Sequence, residues 1–296
     1  MKKLNLYTTH YDSKLLECAD IQSVLLPIES ISDHSDRQYR LSQLPEIIEA
    51  LHQKGKQGYA WFNRFFFDDE VDHFRAVLKQ VVEMGVDGIA YMDLGISKLL
   101  DELQLTVEKI YISDPSVTNS EDLKIFAQFN DKVLLGRELT TEELVQMARV
   151  LPDCSLVSIY GHQVMSISRR PLLSAYGQFV GIDVDQHKIY MLKEEHRQEP
   201  YMIYEDETSA SIYDGRVLLD FVDFSELIKA GMRHFVIESF NRSTEEIGFV
   251  AQLFSDVFYE RITVEQAKDK YQQTYPNQEI TTGLRQIKTS DRKVSV

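Results

Sequence analysis

Where buried strands run parallel, the residues able to act on a ligand stand at the strands' C-terminal ends, because the loops converge there. In this sequence those positions hold Thr8, Thr9 and His10, then Glu29, Asn63 and Arg64, Asp93, Asp114, Arg137 and Glu138, Tyr160 and His162, and Glu238. Any one of them could simply cap a helix or face water. Together, at one mouth, they would offer guanidinium, carboxylate and imidazole groups to a single ligand. The Arg137-Glu138 pair is the sharpest, since it directly follows the apolar run Val133-Leu134-Leu135-Gly136. Neighbours on a strand end point to opposite faces, so the two charges are placed for something other than each other. Two adjacent arginines, Arg169 and Arg170, stand beyond the next apolar run, and such a pair suits a phosphate or carboxylate.

Other chemistries lack their signatures. The sequence contains no GxGxxG fingerprint, Walker loop, HExxH or GxSxG elbow. Two cysteines, Cys18 and Cys154, are too few for a four-thiolate zinc or iron–sulfur site or for a disulfide framework. His187 and His196 flank a short apolar segment beside Glu194 and Glu195, a pattern better read as a solvated acidic hairpin than as a metal site. The aromatic run Trp61, Phe62, Phe65, Phe66 and Phe67 reads as core and loop packing before it reads as a base-stacking platform. With 47 acidic against 32 basic residues the net charge is -15, which argues against a generally basic nucleic-acid binder. An anionic ligand would have to be held by a local concentration of positive charge.

The elements that must position these groups alternate along the chain. Short apolar runs at 4–7, 23–28, 59–62, 88–92, 109–112, 132–135, 155–160 and 235–237 read as buried strands. Their continuous rather than alternating apolar character indicates parallel pairing. Between them lie helix-period stretches; Val71, Phe74, Val77, Leu78, Val81 and Val82 form one stripe behind the acidic turn Asp68-Asp69-Glu70 and end at Gly85. The same return half, helix then glycine then strand, recurs at Gly55 and Gly231. Eight such strands fit a TIM-like (β/α)8 barrel, although a doubly wound open sheet shares the local grammar. Residues 172–219 break the rhythm with β-like pieces at 178–184, 188–193 and 201–204, and read as a β-hairpin insertion before the last βα unit. With no Pro-, Gly- or Ser-rich linker the chain is expected to form a single barrel domain over 1–296, with a mobile tail from 281 carrying Arg285, Lys288, Arg292 and Lys293. The start Met1-Lys2-Lys3 leads into Leu4-Asn5-Leu6-Tyr7-Thr8 without the apolar run of a signal peptide, and no stretch approaches the ~20 apolar residues of a membrane span. A cytoplasmic protein without membrane contact is the expectation.

The most distinctive stretch runs from Gly161 to Tyr176. It resembles the signature of the collagenase-like unassigned-peptidase family (peptidase family U thirty-two), in which a strand leads into His-Gly, a cysteine, Ser-x-Arg, a second cysteine and Leu-Leu-Ser. Gly161, Ser168, Arg170, Leu172, Leu173 and Ser174 match, whereas Tyr160 replaces the His and Val164 and Pro171 stand at the cysteine positions. Supporting resemblances are Leu135-Gly136-Arg137-Glu138-Leu139 with Glu142-Glu143-Leu144, the acidic element Tyr204-Glu205-Asp206, and Ile237-Glu238 with Ser243 and Glu245, where Ser239 and Phe240 replace Gly-Arg.

The resemblance implies a TIM-barrel-like fold, in agreement with the strand count. The strand-end reading and the resemblance together nominate Asp93, Arg137, Glu138, His162, Arg170, Glu205, Asp206 and Glu238 as substrate-binding residues, Asp93 and His162 on the strand-end reading alone, with the family-matched Arg170 expected to point inward and Arg169 to be partly exposed; the alternative pairs both arginines with the acidic stretch 194–207. For function the resemblance implies a degenerate member, a subunit without its own cofactor that supports a longer paralogue bearing an iron–sulfur cluster in hydroxylation of tRNA wobble uridine, reaching tRNA through the complex. The alternatives are a collagenase-like peptidase of unassigned mechanism and a stand-alone barrel binding a small anionic metabolite. No metal site is expected on this chain.

Overall fold

A computed structural model of the chain describes residues 3–113, 116–193, 195 and 199–287. Each apolar run becomes a strand: β1 (Asn5–Thr8), β2 (Ile21–Pro27), β3 (Gln57–Phe62), β4 (Gly88–Tyr91), β5 (Glu108–Tyr111), β6 (Lys132–Leu134) and β7 (Ser155–Gly161) pair in parallel, each with the next. The chain closes the circle much later, when the strand His234–Ile237 pairs in parallel with both β7 and β1. The result is a closed eight-stranded barrel.

Helices α1 (Leu44–Gln53), α2 (Val71–Glu83), α3 (Leu94–Glu102), α4 (Ser120–Phe126) and α5 (Thr141–Val150) connect the first strands over the outside. The stripe read from Val71 onward is the buried face of α2, with Phe74, Val77, Leu78 and Val81 inward. Inside the barrel, Tyr7, Leu25, Tyr59, Trp61, Ala90, Ile110, Leu134, Leu156 and Val236 form a separate apolar plug to which every barrel strand contributes. Strands buried on both faces therefore read as unbroken apolar runs.

The excursion from the barrel begins earlier than the expected 172 and contains a helix. After β7 the chain forms β8 (Val164–Ser168), α6 (Leu172–Val180), β9 (Tyr190–Leu192), β10 (Tyr201–Glu205) and β11 (Ala210–Asp214), and the strands make a four-stranded antiparallel sheet in the order β8-β11-β10-β9. The expected strand at 178–184 is not one: Gln178, Phe179 and Val180 lie in α6, because Leu173 and Gly177 recur at helical spacing on its buried side. Strand β12 (Val217–Leu219) returns antiparallel to β7. Helix α7 (Phe221–Lys229), β13 (His234–Ile237), α8 (Thr244–Phe258) and α9 (Val264–Thr274) follow, and β14 (Ile280–Thr281) pairs with β12.

The tail also departs from expectation. Instead of trailing into solvent, the segment after Thr281 carries Arg285 into the protein, where it is 4% exposed and lies 3.5 Å from Asp220 and 3.4 Å from Asp223. Two buried carboxylates beside it repay the desolvation of a guanidinium, which a loose tail would never meet. Lys288, Arg292 and Lys293 lie outside the described residues.

Candidate functional site

The strand ends converge on a cavity of about 400 Å³, within the size range of small-molecule sites. Thr9 after β1, Asn63 after β3, Met92 after β4, Ser113 after β5, Arg137 after β6, His162 after β7 and Glu238 after β13 line it, and β8 with Tyr213 and Phe240 forms a further wall. Its floor includes Trp61 and Leu134 from the plug.

Of the eight residues expected to bind substrate, three meet here. Arg137 is half-buried on the cavity wall, and its Nη2 lies 3.4 Å from the carbonyl oxygen of Met165. Glu238 accepts a hydrogen bond from Ser158 Oγ at 2.9 Å. Its approach to β7 depends on Gly161, whose φ is +117° and where an added Cβ would stand 2.4 Å from Glu238 Cβ. His162 is 3% exposed, and its Nδ1 faces the carbonyl oxygens of Asp214 at 2.9 Å and Arg216 at 3.2 Å. Carbonyls only accept, so Nδ1 carries the proton and Nε2 is left as an acceptor that meets no hydrogen-bond partner. Burial and then the charge of Arg242 push the His162 pKa down to about 4, so the ring is neutral at pH 7. It serves as a fixed acceptor rather than a proton carrier at that pH.

The other five stand elsewhere. Glu138 does not line the cavity; it and Arg137 lie in the turn beyond the end of β6, so strand alternation does not set their directions. Asp93 is the N-cap of α3, accepting from Gly95 N at 2.8 Å. Glu205 is fully buried and caps α6, accepting from the Leu173 amide at 2.8 Å, the Ser174 amide at 3.2 Å and the Ser174 hydroxyl. A carboxylate there satisfies donors that no carbonyl can reach and complements the helix dipole. The Leu-Leu-Ser element and the acidic element are therefore two halves of one cap. Asp206 folds back on its own turn, accepting from Ser209 N at 2.8 Å and Thr208 N at 2.9 Å.

Arg170 reverses the expectation: it is exposed, and Arg169 is the one turned inward. Arg169 donates to the Phe65 carbonyl at 2.6 Å, lies 3.4 Å from Glu70 and sits 4.9 Å over the Phe67 ring. Strand β8 pairs through Ser168 with Ala210, and the turn beyond it sends the next side chain toward the barrel loops. Arg64, a strand-end candidate, is likewise occupied with Glu70 and the Phe74 ring. Asp114 and the acidic residue Glu194 lie outside the described residues.

Three cavity residues carried no signal as ligands. Ser158 lay inside an apolar run, His34 in a loop after β2 where its φ is +40°, and Arg285 in a presumed tail. Arg285 donates to the Ser158 carbonyl, so Asp220, Asp223, Arg285, Ser158 and Glu238 form one continuous polar chain into the cavity.

The positions at which the family signature carries cysteines test the chain against an iron–sulfur cluster. Val164 lines the cavity and Pro171 is exposed at the start of α6; neither offers a thiolate. Cys18 and Cys154 precede β2 and β7, at the opposite ends of the strands from the cavity, and burial pushes both thiols up. The residues do not fit a cluster. Among the described residues no group of three or more His, Cys, Asp or Glu is placed to hold a metal ion.

The model of peptidase family U32 matches residues 32–293. The chain belongs to this family. Among curated relatives, the tRNA hydroxylation protein P2 of Bacillus subtilis is 22% identical over 225 residues, covering 74% of this chain and 73% of that protein. The tRNA hydroxylation protein P of Escherichia coli is 25% identical, over 70% of this chain and 56% of its own length. A collagenase of Porphyromonas gingivalis is 22% identical over 49% of this chain and 35% of its own. The chain thus spans about half or less of two of these relatives. A solved U32 peptidase, Mk0906, superposes with a TM-score of 0.53 at 14% identity, covering 80% of this chain and 92% of that one, which establishes the shared fold. No helix among the described residues is long and apolar enough to cross a membrane.

Proposed function

We propose that this U32-family chain acts in tRNA hydroxylation as a subunit without its own iron–sulfur cluster, beside a longer, cluster-bearing relative that engages the tRNA, and that wobble uridine is the base concerned. The observation that carries the reading is the pairing of a formed cavity, with Arg137, His162 and Glu238 on its wall, with Val164 and Pro171 at the signature cysteine positions. Such a chain can bind and orient but offers no thiolate set for a redox centre. The names of the Bacillus subtilis and Escherichia coli relatives support the choice of pathway.

A peptidase reading has less behind it. Both thiols sit away from the cavity, and the Ser158 hydroxyl is directed at Glu238 rather than at a histidine. The deciding experiment deletes this gene alone, analyses tRNA nucleosides, and tests co-purification with the longer relative. Loss of hydroxylated wobble uridine with recovery of the pair is the expected result. Unchanged nucleosides, together with gelatin cleavage by the pure chain, would replace the proposal with the peptidase reading.

A further inference from the structure

The insertion sheet meets the barrel where two carboxylates share one hydroxyl. Thr208, in the turn between β10 and β11, bonds through Oγ1 to Asp33 Oδ1 in the loop after β2, and the same Oγ1 lies 3.0 Å from Asp206 Oδ1. A hydroxyl has one hydrogen, so it can donate to only one of two ionised carboxylates. Asp206 Oδ1 already accepts from the amides of Thr208 at 2.9 Å and Ser209 at 2.8 Å, which fixes it as an acceptor. Both contacts are therefore hydrogen bonds only when Asp33 carries a proton, donates it to Thr208 Oγ1, and the hydroxyl donates on to Asp206. Asp33 and Asp206 are 1% and 2% exposed, and among the described residues neither Oδ2 meets a hydrogen-bond partner. The surrounding charges point the same way. Arg64 after β3 and Arg169 after β8 act on Asp33, and both are held by Glu70. Three carboxylates thus face two guanidinium groups, and one proton balances the cluster.

We propose that Asp33, Thr208 and Asp206 form a proton-operated latch that closes the wall of the cavity. The loop that carries Asp33 is tied to that wall. Asn63 Oδ1 accepts from the Asp33 amide at 2.9 Å and Asn63 Nδ2 donates to the Asp33 carbonyl at 2.8 Å, which clamps the loop to a cavity residue. The next residue, His34, lines the cavity, and its carbonyl accepts from Tyr213 at 2.6 Å. Tyr213 lies in β11, which pairs with the wall strand β8. With the proton in place, the turn, β11 and the loop are joined as one unit. Without it, two buried carboxylates repel across a single hydrogen and the joint loosens. Burial holds the Asp33 carboxyl at about 6 in the joined state, and in an opened turn it returns toward 3.8. That difference favours the closed state about tenfold more at about pH 5 than at about pH 7.

Trp61 reports on the wall directly. It is the single tryptophan of the chain, lines the cavity, and lies edge-on to the His34 ring at 6.2 Å. Burial lowers the His34 pKa to about 4, so that ring stays largely neutral while the latch titrates. Acrylamide quenching of Trp61 in the full chain should fall as the pH drops from about 7 to about 5, following the tenfold shift toward the closed state. Acid unfolding would raise it instead. Asp33→Asn, whose amide donates to Thr208 at every pH, should give the low value throughout. Thr208→Val, which has no hydroxyl to share, should give the high value throughout. Two exposed imidazoles stand nearby: His187 bonds Tyr204 and Glu207 beside the turn, and His73 bonds Ser30. His187→Gln and His73→Gln should keep the wild-type fall. Quenching that is independent of pH in the wild type, a fall that survives Asp33→Asn or Thr208→Val, or one lost with either histidine overturns the proposal. The measurement involves neither tRNA nor a partner, so it and the nucleoside analysis fail separately.

Discussion

The two arginines on the cavity wall belong to different kinds of site. Arg137 is half-buried beside a backbone carbonyl, whereas Arg285 is buried between Asp220 and Asp223. Arg137→Ala should abolish function at a smaller cost in stability, because its half-buried side chain keeps part of its hydration. Arg285→Ala leaves two buried carboxylates without their cation and should cost about 3–5 kcal/mol. Chemical denaturation of both variants checks the pair, and equal losses would mean that Arg137 is structural. Titration gives a second residue-scale outcome. Burial lowers His10, His34 and His162 from 6.5 to about 4, so between those pH values the unfolded chain binds protons that the folded chain does not, and stability falls on acidification. Asp33 opposes this: burial raises its carboxyl from 3.8 to about 6, so its folded form takes a proton first and favours the folded state as pH falls through that window. Asp33→Asn should therefore make acid loss of stability steeper between about pH 6 and 4. Denaturant midpoints measured across that range would show a shallower loss if the assignment is wrong.

At the scale of elements, the insertion sheet is seated on the barrel by side chains from both. Arg169 at the end of β8 reaches Phe65, Phe67 and Glu70 in the loop after β3, and Thr208 between β10 and β11 donates to Asp33 after β2. Exposed Arg170 makes none of these contacts. Arg169→Ala should lower the unfolding free energy by about 1–3 kcal/mol, through the lost charge-assisted bond to the Phe65 carbonyl and the lost contact with half-buried Glu70, and should raise hydrogen exchange in β8 and β11. Arg170→Ala should leave both unchanged. Equal protection in the two variants would remove Arg169 from the seating of the sheet. Since β8 forms one wall of the cavity, loosening it also opens the site to water.

For the molecule as a whole, the barrel delivers one end of every strand to the cavity and leaves both cysteines at the other end. The anaerobically purified chain should accordingly be colourless and without stoichiometric iron. Visible absorbance with acid-labile sulfide would show that thiolates reach a common centre, contrary to where Cys18 and Cys154 lie. The barrel also explains the mixed success of the family motifs as guides to chemistry. Glu205 and Ser174 are matched family positions that build a helix cap, Ser243 caps α8, and Glu143 closes the capping box of α5. Arg137, His162 and Glu238 are the positions that turn inward.

The sequence by itself determined the eight strands and their parallel order of burial, because a strand covered on both faces must be apolar throughout and its helix must end before the next begins. It also determined that strand ends would carry the polar groups, and three of them, Arg137, His162 and Glu238, line one cavity. Closure was decided only in three dimensions: β13 joins β1 across more than two hundred residues, and nothing local distinguishes that pairing from an open sheet. The same holds for side-chain direction. Arg169 and Arg170 are chemically identical neighbours, and the turn after β8 alone decides which faces the barrel. Arg285 reads as a solvated tail charge until Asp220 and Asp223, more than sixty residues earlier, are folded against it. Periodicity records which residues are buried; the partner that makes burial of a charge tolerable is a long-range contact, and only the tertiary structure supplies it.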